Sequence, residues 1–227
     1  MPRVRSLLLA GSLVLTTHGG AAMAQPNAPA NSNGTAGPMV TLQMPAPPQP
    51  VAVSLKPATT ALLVLDVVEF LCKDQPNCTG EMVPHIASLL AQARKAGVYV
   101  VYTLAATPNY SGVMSQLAPA PGDPVIPTYA QDKFYETDLD KLLKAKGITT
   151  LILTGWRING SVVYTSVGAT LRGYTVVVPE DASLAARDYD VAVGRYQLLT
   201  QLSSNAANEP LKAKASTLSR TDLITFQ

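Results

Sequence analysis

Histidine and cysteine are both scarce in this sequence, with two residues of each type among 227. Cys72 and Cys78 do not have the CxxC spacing, and neither lies in a cluster of cysteines and histidines. The sequence therefore gives no support for a metal site or a dithiol redox centre. If the chain is exported, the two cysteines instead predict a small loop closed by a disulfide.

Charged residues make up only 14% of the chain and nearly balance, with 17 Lys+Arg against 15 Asp+Glu. A chain without an excess of basic residues lacks the surface that binds nucleic acid or an anionic membrane. Glycine-rich phosphate-binding loops do not precede any predicted helix, so we expect no nucleotide cofactor. We therefore expect neither nucleic acid nor a membrane as a partner.

Long hydrophobic runs are missing too, since no apolar run reaches the ~20 residues that a membrane-spanning helix needs. The run at 7–15 follows Arg3 and Arg5 and precedes a small-x-small site at 22–24. This pattern predicts a secretory signal peptide over residues 1–24, and a retained anchor is the less favoured interpretation. The mature chain, with 15 charges of each sign, is expected to be soluble and periplasmic or secreted.

The mature chain is predicted to contain a linker and one domain. Residues 25–53 are rich in proline, alanine and asparagine, which predicts a disordered or extended linker. Residues 54–227 have the length of one ordinary domain with a sizeable hydrophobic core.

The stretch 147–183 organises that domain. It predicts a strand at 149–154, a turn at 155–161, a helix at 161–172 and a second strand at 174–179. Its continuous apolar runs are typical of strands buried on both faces, as in helix-flanked parallel sheets. Such units place their chemistry at the carboxyl end of the strand, which here is the turn.

The same alternation recurs along the domain and predicts an α/β fold, a three-layer α/β/α sandwich on a mostly parallel sheet. A proline-rich irregular segment at 105–132 is expected to form a wall of the site. The other predicted elements are strands at 61–65 and 98–104, helices at 81–95, 137–146 and 189–202, and a last strand within 215–226.

A family resemblance covers residues 59–183, about half of the chain. The sequence resembles the isochorismatase-like cysteine hydrolases, which carry a T-G-x-x-x-N-x-Cys-V pattern followed by R-G-Y and D-A. Ser161 occupies the position of the family's nucleophilic cysteine. The positions in register are Thr154, Gly155, Asn159, Val162, Thr165, Ala169, Arg172, Gly173, Tyr174, Val176, Val178, Asp181 and Ala182.

The resemblance implies a catalytic role for Asp66, which matches the family's general base. From position alone, a carboxylate at the end of a strand also suits a helix cap or a loop anchor. Ser161 is either the nucleophile or an oxyanion anchor, because N–H groups at a helix start stabilise an anion. Serine is equally a favoured residue at a helix start for structural reasons.

The third catalytic residue of the family is a lysine that normally lies nine residues before the threonine of a T-D-L motif. That threonine is Thr137 here, so the family position falls on Thr128, which is not a lysine. Lys133, in the sequence KFYETDL, is the candidate replacement, and a surface lysine is the alternative interpretation. A Ser-His pair is not expected, because His85 lies in a predicted helix on the face away from the site. Some relatives bind a metal through His and Asp, but His85 has no clustered partner, so we expect none.

The turn before Ser161 supplies the remaining candidates. The resemblance places a non-proline cis peptide bond at Trp156–Arg157, where it supports an oxyanion hole together with Gly160. Arg157 is a candidate to bind a carboxylate or carbonyl group, with an exposed arginine at a loop tip as the alternative.

Two functions from different classes are consistent with these residues. One is an isochorismatase-like hydrolase acting on a small amide, ester or vinyl ether. The other is a catalytically inactive protein of the same fold that binds a small ligand. The resemblance also implies a possible homo-oligomer.

Overall fold

A computed structural model describes residue 41 and the ranges 43–105, 112–201 and 205–227. The predicted signal peptide at 1–24 and most of the predicted linker lie outside these residues. The described chain forms a compact unit from Pro45 to Gln227. Within the described ranges, no helix has the length and apolar character needed to cross a membrane.

The centre of the unit is a six-stranded sheet in the order β4-β3-β2-β5-β6-β7, in which every neighbouring pair is parallel. A second, two-stranded parallel sheet joins β1 to β8. The strands are β1 (Val53–Leu55), β2 (Thr60–Leu65), β3 (Tyr99–Ala105), β4 (Val125–Thr128), β5 (Thr150–Gly155), β6 (Thr175–Pro179), β7 (Ser216–Ser219) and β8 (Ile224–Phe226).

Helices cover both faces of the larger sheet. The helices are α1 (Glu69–Cys72), α2 (Val83–Lys95), α3 (Leu139–Ala145), α4 (Val163–Leu171) and α5 (Asp188–Thr200). Alternate residues of β2 enter different hydrophobic clusters, because successive side chains of a strand point to opposite faces. Leu62 and Val64 pack with α2, whereas Leu63 and Leu65 pack with α3, α4 and α5. The predicted three-layer α/β/α sandwich is confirmed.

Three short strands were not predicted: β1, β4, and one of the pair β7 and β8, where a single strand within 215–226 was expected. β4 lies within the segment predicted to be irregular, at the edge of the sheet, where Pro127 is tolerated because one side of the strand needs no ladder partner. β1 begins at Val53, the last residue of the predicted linker, and pairs with β8. Gln49 and Val51 also hydrogen-bond to the domain, through Asn208 and Leu218. The domain therefore begins before residue 54, at Pro45.

The predicted disulfide is present. Cys72 and Cys78 are both buried and covalently joined, with their Cα atoms 5.4 Å apart. They close a loop shortly after the carboxyl end of β2, so this loop is tied to the edge of the sheet where the site was predicted.

Strands β2 and β5 meet closely at their carboxyl ends, and Gly155 makes this possible. A Cβ atom at Gly155 would lie 2.1 Å from the carbonyl oxygen of Leu65, and its φ of +131° is one that L-residues rarely adopt. The next residue, Trp156, donates its N–H to that same carbonyl at 2.9 Å. Only glycine fits between the two strands here.

We therefore expect Gly155→Ala to lower the free energy of unfolding by at least about 3 kcal/mol, because backbone atoms cannot move aside without breaking the strand pairing. Chemical denaturation of the purified variant measures this change. Gly80→Ala is the matched control, because a Cβ there meets nothing within 4 Å. Equal stability losses in both variants would contradict the assignment.

Candidate active site

The pairing of β2 with β5 brings the predicted catalytic residues to one edge of the sheet. Asp66 directly follows β2, and the turn that leads to Ser161 follows β5. Because the strands are parallel neighbours, their carboxyl ends lie side by side. Asp66 has a φ of +55°, and its N–H donates to the carbonyl of Thr103 on β3 at 3.0 Å.

The carboxylate of Asp66 is the centre of a buried polar cluster. Ser161 Oγ donates a hydrogen bond to Asp66 Oδ2 at 2.5 Å, and Lys133 Nζ lies 2.6 Å from the same oxygen. Thr103 Oγ1 donates to Asp66 Oδ1 at 3.3 Å. Asp66, Lys133 and Ser161 are 4%, 2% and 7% exposed. The structure thus brings the three candidates into direct contact.

Lys133 is not a surface lysine, so that alternative interpretation of the sequence was wrong. Its ammonium group also donates to Thr128 Oγ1 at 2.9 Å and to the carbonyl of Ala130 at 2.8 Å. An ammonium has three protons, and these two acceptors together with Asp66 account for all of them. Thr128, the position that the family's lysine occupies by sequence count, therefore contacts the lysine that is present.

The segment that carries Lys133 is held against α4. Thr165 Oγ1 accepts the N–H of Lys133 at 3.2 Å and donates to the carbonyl of Gln131 at 3.2 Å. Thr137 Oγ1 donates to the Lys133 carbonyl at 2.6 Å. These bonds fix the backbone on both sides of the lysine, so the direction of its side chain is set by the fold.

The turn between β5 and α4 differs from the predicted helix start. The peptide bond between Trp156 and Arg157 is cis, as the resemblance implies. A π-helical turn over Ile158–Val162 follows, and α4 begins only at Val163. Within this turn the N–H groups of Gly160 and Val162 both donate to the carbonyl of Arg157, at 3.0 and 3.3 Å. Gly160 therefore does not present a free N–H to an anion in this structure.

A cavity of about 500 Å³ opens beside Ser161. Five of the predicted site residues line it: Asp66, Trp156, Arg157, Gly160 and Ser161. Lys133 lies behind Asp66, outside the lining. Three side-chain amides that were not predicted as site residues complete the polar wall: Gln75, Gln131 and Asn159.

The unpredicted amides carried only weak signals in the sequence. Gln75 lies inside the disulfide loop and Gln131 lies two residues before Lys133, in loops whose position depends on tertiary contacts. Asn159 belongs to the quoted family pattern, and its proximity to Ser161 was the one usable signal.

The charge of the cavity is set by Arg157. Asp66 and Lys133 form an ion pair with each other, whereas Arg157 is exposed and forms no ion pair with another described residue. Arg157 interacts electrostatically with Asp190, whose carboxylate is already paired with Arg187. The cavity therefore offers one exposed cation next to the serine, which suits an anionic group on a ligand.

His85 takes no part in the buried cluster. Its Nδ1 lies 3.4 Å from Asp181 Oδ2 and 3.4 Å from Thr221 Oγ1, near the ends of β6 and β7. The structure gives Ser161 an aspartate instead of a histidine as its neighbour. Among the described residues, no group of three or more His, Cys, Asp and Glu side chains is placed to hold a metal ion.

Comparison with known proteins identifies the family. The isochorismatase domain model matches residues 60–205, which is more than half of the chain. The chain belongs to the isochorismatase family. The match spans β2 to α5 and includes every residue of the buried cluster.

Several named proteins and solved structures are similar to this chain. Ureidoacrylate amidohydrolase RutB from Methylorubrum extorquens is 28% identical, over 69% of this chain and 82% of the relative. N-carbamoylsarcosine amidase from Thermoplasma acidophilum is 26% identical with a TM-score of 0.60, over 74% of this chain and 98% of that one. A cysteine hydrolase from Pseudomonas syringae pv. phaseolicola shares the fold, with 24% identity, a TM-score of 0.63 and coverage of 77% and 94%.

The buried ion pair of Asp66 and Lys133 leads to a prediction about stability. We expect Lys133→Met to lower the free energy of unfolding by about 3–5 kcal/mol, because it leaves the Asp66 carboxylate buried without its cation. Denaturant titration at neutral pH measures the loss. Adding Asp66→Asn to this variant is expected to restore part of it, because both charges are then removed.

Lys144→Met is the control, because Lys144 forms an exposed pair with Asp140 at 2.7 Å. Its loss is expected to be below about 1 kcal/mol. A similarly small loss for Lys133→Met would show that the ammonium does not neutralise Asp66.

Proposed function

We propose that this protein hydrolyses a small, carboxylate-bearing amide or a related compound with a non-peptide C–N bond, with Ser161 as nucleophile. The observation that carries the proposal is the 2.5 Å hydrogen bond from the Ser161 hydroxyl to the Asp66 carboxylate beside an open cavity. A serine hydroxyl does not ionise at physiological pH and needs a base during attack. Asp66 is in position to be that base.

The proposed reaction follows from these contacts. As Ser161 Oγ attacks the substrate carbonyl, its proton passes to Asp66 Oδ2. The tetrahedral oxyanion is stabilised by Arg157 or by a backbone N–H of the turn other than those of Ile158, Gly160 and Val162, which already donate to carbonyl groups of the protein. Its collapse breaks the C–N bond, and the proton moves from Asp66 to the leaving nitrogen. Water then attacks the acyl-serine with Asp66 again taking the proton, which returns to Ser161.

Lys133 has an electrostatic role in this scheme. Its ammonium balances the charge of the buried Asp66 carboxylate, because Nζ lies 2.6 Å from the oxygen that accepts the Ser161 hydrogen bond. Arg157 fits a carboxylate on the substrate, because it is an exposed cation that lines the cavity and forms no ion pair with another described residue.

The relatives support the choice of substrate class. The names of ureidoacrylate amidohydrolase RutB and N-carbamoylsarcosine amidase both describe hydrolysis of a C–N bond in a small molecule. Esters and vinyl ethers remain in the proposal as further substrates of the same cavity. We also propose export to the periplasm or beyond the cell, on the basis of the signal-peptide pattern in residues 1–24.

A second candidate is a binding protein without catalysis. The observation that favours it is Ser161 itself, at the position where the family pattern has a thiol that is far more easily ionised. In this case the cavity holds a small anionic ligand through Arg157, and the Asp66–Lys133 pair is structural.

A hydrolysis screen separates the two candidates. We expect the chain lacking residues 1–24 to hydrolyse at least one compound among small carboxylate-bearing amides, ureides, esters and vinyl ethers. Ser161→Ala and Asp66→Asn are each expected to lower kcat/KM by roughly 10²-fold or more, because they remove the nucleophile and its base. Turnover by the wild type at the level of Ser161→Ala would favour the binding protein.

Ser161→Cys is the companion variant for that screen, because a thiol at this position gains more from a neighbouring base than a hydroxyl does. Increased activity would support a productive arrangement of the other groups around position 161.

The replacement of the family lysine is tested separately. We expect Lys133→Met to lose activity and Thr128→Lys/Lys133→Met to recover part of that activity. Thr128 Oγ1 lies 2.9 Å from the Lys133 ammonium, so a lysine at position 128 brings a new ammonium close to the one that is removed. Steady-state kcat with the best substrate from the screen is the measurement. Thr128→Met/Lys133→Met is the control for restored packing without charge, and recovery in that variant would contradict an electrostatic role.

A further inference from the structure

Asn159, two residues before Ser161, is connected to a buried carboxylate on α5. Its side-chain nitrogen Nδ2 donates to Asp190 Oδ1 at 3.1 Å. Asp190 is 5% exposed and lies in the first turn of α5. This contact connects the turn that carries Ser161 to α5, a helix that is not part of the unit formed by β5, the turn and α4.

The orientation of the Asn159 amide is fixed by the charge of its partner. Arg187 donates to both oxygens of Asp190, from Nε to Oδ2 at 2.8 Å and from Nη2 to Oδ1 at 3.0 Å. These hydrogen bonds hold the pKa of Asp190 below its usual value, so it stays ionised. An ionised carboxylate only accepts hydrogen bonds. The nitrogen of Asn159, and not its oxygen, must therefore face Asp190.

The packing of α5 against the turn keeps this contact in place. A Cβ at Gly194 would lie 2.9 Å from Ile158 Cγ2 and 3.0 Å from the backbone nitrogen of Asn159. The backbone of α5 therefore lies directly on the residues before Ser161, and the separation of Asp190 from Asn159 follows from this packing.

The oxygen of the amide is left for another donor. Asn159 lines the same cavity as Ser161, and no donor in the described part of the chain contacts Asn159 Oδ1. A carbonyl oxygen that is held in a fixed direction discriminates between ligands that carry an N–H group and ligands that do not.

We propose that Asn159 is a specificity-determining residue that accepts a hydrogen bond from a substrate N–H through Oδ1, and that Asp190 and Arg187 are its positioning residues. The site then selects carboxamides and ureides with a free N–H over the matching esters. This proposal rests on the proposed function for the reaction at the substrate carbonyl. The selection itself is a difference in affinity, so binding measurements alone test it.

The test uses matched ligands that differ only in the N–H group. N-Methylsuccinamate is compared with monomethyl succinate, and N-methylmalonamate with monomethyl malonate, because each pair keeps the carboxylate and the terminal methyl group and replaces the N–H by an oxygen. Calorimetric titration of the Ser161→Ala variant of the full mature chain measures binding without turnover. We expect the amide of at least one pair to bind about tenfold more tightly than its ester, the effect of one good hydrogen bond.

Adding Asn159→Leu to Ser161→Ala is expected to abolish this preference while leaving the ester affinity within about twofold. Asp190→Asn allows the Asn159 amide to flip, so that its nitrogen and oxygen exchange places. This variant is expected to reduce the preference without abolishing it. The exchanged pair Asn159→Asp/Asp190→Asn restores a donor facing an acceptor and is expected to keep the preference. If Asn159→Leu fails to fold, the exchanged pair and Asp190→Asn still test the contact between Asn159 and Asp190.

The inference is overturned if no amide binds more tightly than its ester, or if Asn159→Leu weakens both ligands of a pair alike, which is the result of a purely structural role. Failure of the hydrolysis screen leaves these binding measurements intact, so the two proposals fail separately. In an active enzyme, the ratio of amide to ester kcat/KM is expected to fall about tenfold in Asn159→Leu.

Discussion

The buried carboxylate of Asp66 is the constraint on which the rest of the site depends. It accepts hydrogen bonds from Ser161 and Thr103 and pairs with Lys133, so three separate parts of the chain meet at one charged group. A buried carboxylate is costly unless it is neutralised and hydrogen-bonded. Folding of the core therefore requires the loop that carries Lys133 and the turn that carries Ser161 to reach their places together.

A serine in this setting changes the balance of the chemistry. In a thiol hydrolase, the nucleophile is activated mainly by ionisation, which a nearby cation promotes. In the proposed reaction the Ser161 hydroxyl instead loses its proton during attack, so the geometry of its hydrogen bond to Asp66 matters more than the local electrostatic potential. The contacts of Lys133 with Thr128 and Ala130 hold the cation behind Asp66, away from the cavity. Together these contacts leave the side of the carboxylate that faces the cavity to Ser161.

Much of the fold could be predicted because its central strands are continuous apolar runs and its helices have clear apolar periodicity. Short edge elements escaped prediction: β1 lies at the end of a proline-rich stretch, and β4 contains Pro127, so both are stabilised by their neighbours and not by local sequence. Within the site, the family resemblance pointed to Asp66 and Ser161, and their positions after two strands agreed with it. The burial of Lys133 could not be predicted, because it depends on contacts with Thr165 and Asp66 from distant parts of the sequence.

The closed loop after β2 bears on how the protein is handled. Gln75 lies inside the ring closed by Cys72 and Cys78 and lines the cavity. Asn77, two residues further along the same ring, donates to the carbonyl of Ala185 at 3.0 Å. The chain has only these two cysteines, so it contains no thiol for a reductant to protect. Dithiothreitol, which preserves a cysteine nucleophile during purification, would here break the covalent closure of one wall of the cavity while leaving the serine unchanged. Oxidising expression and reductant-free buffers are the matching choice for this protein.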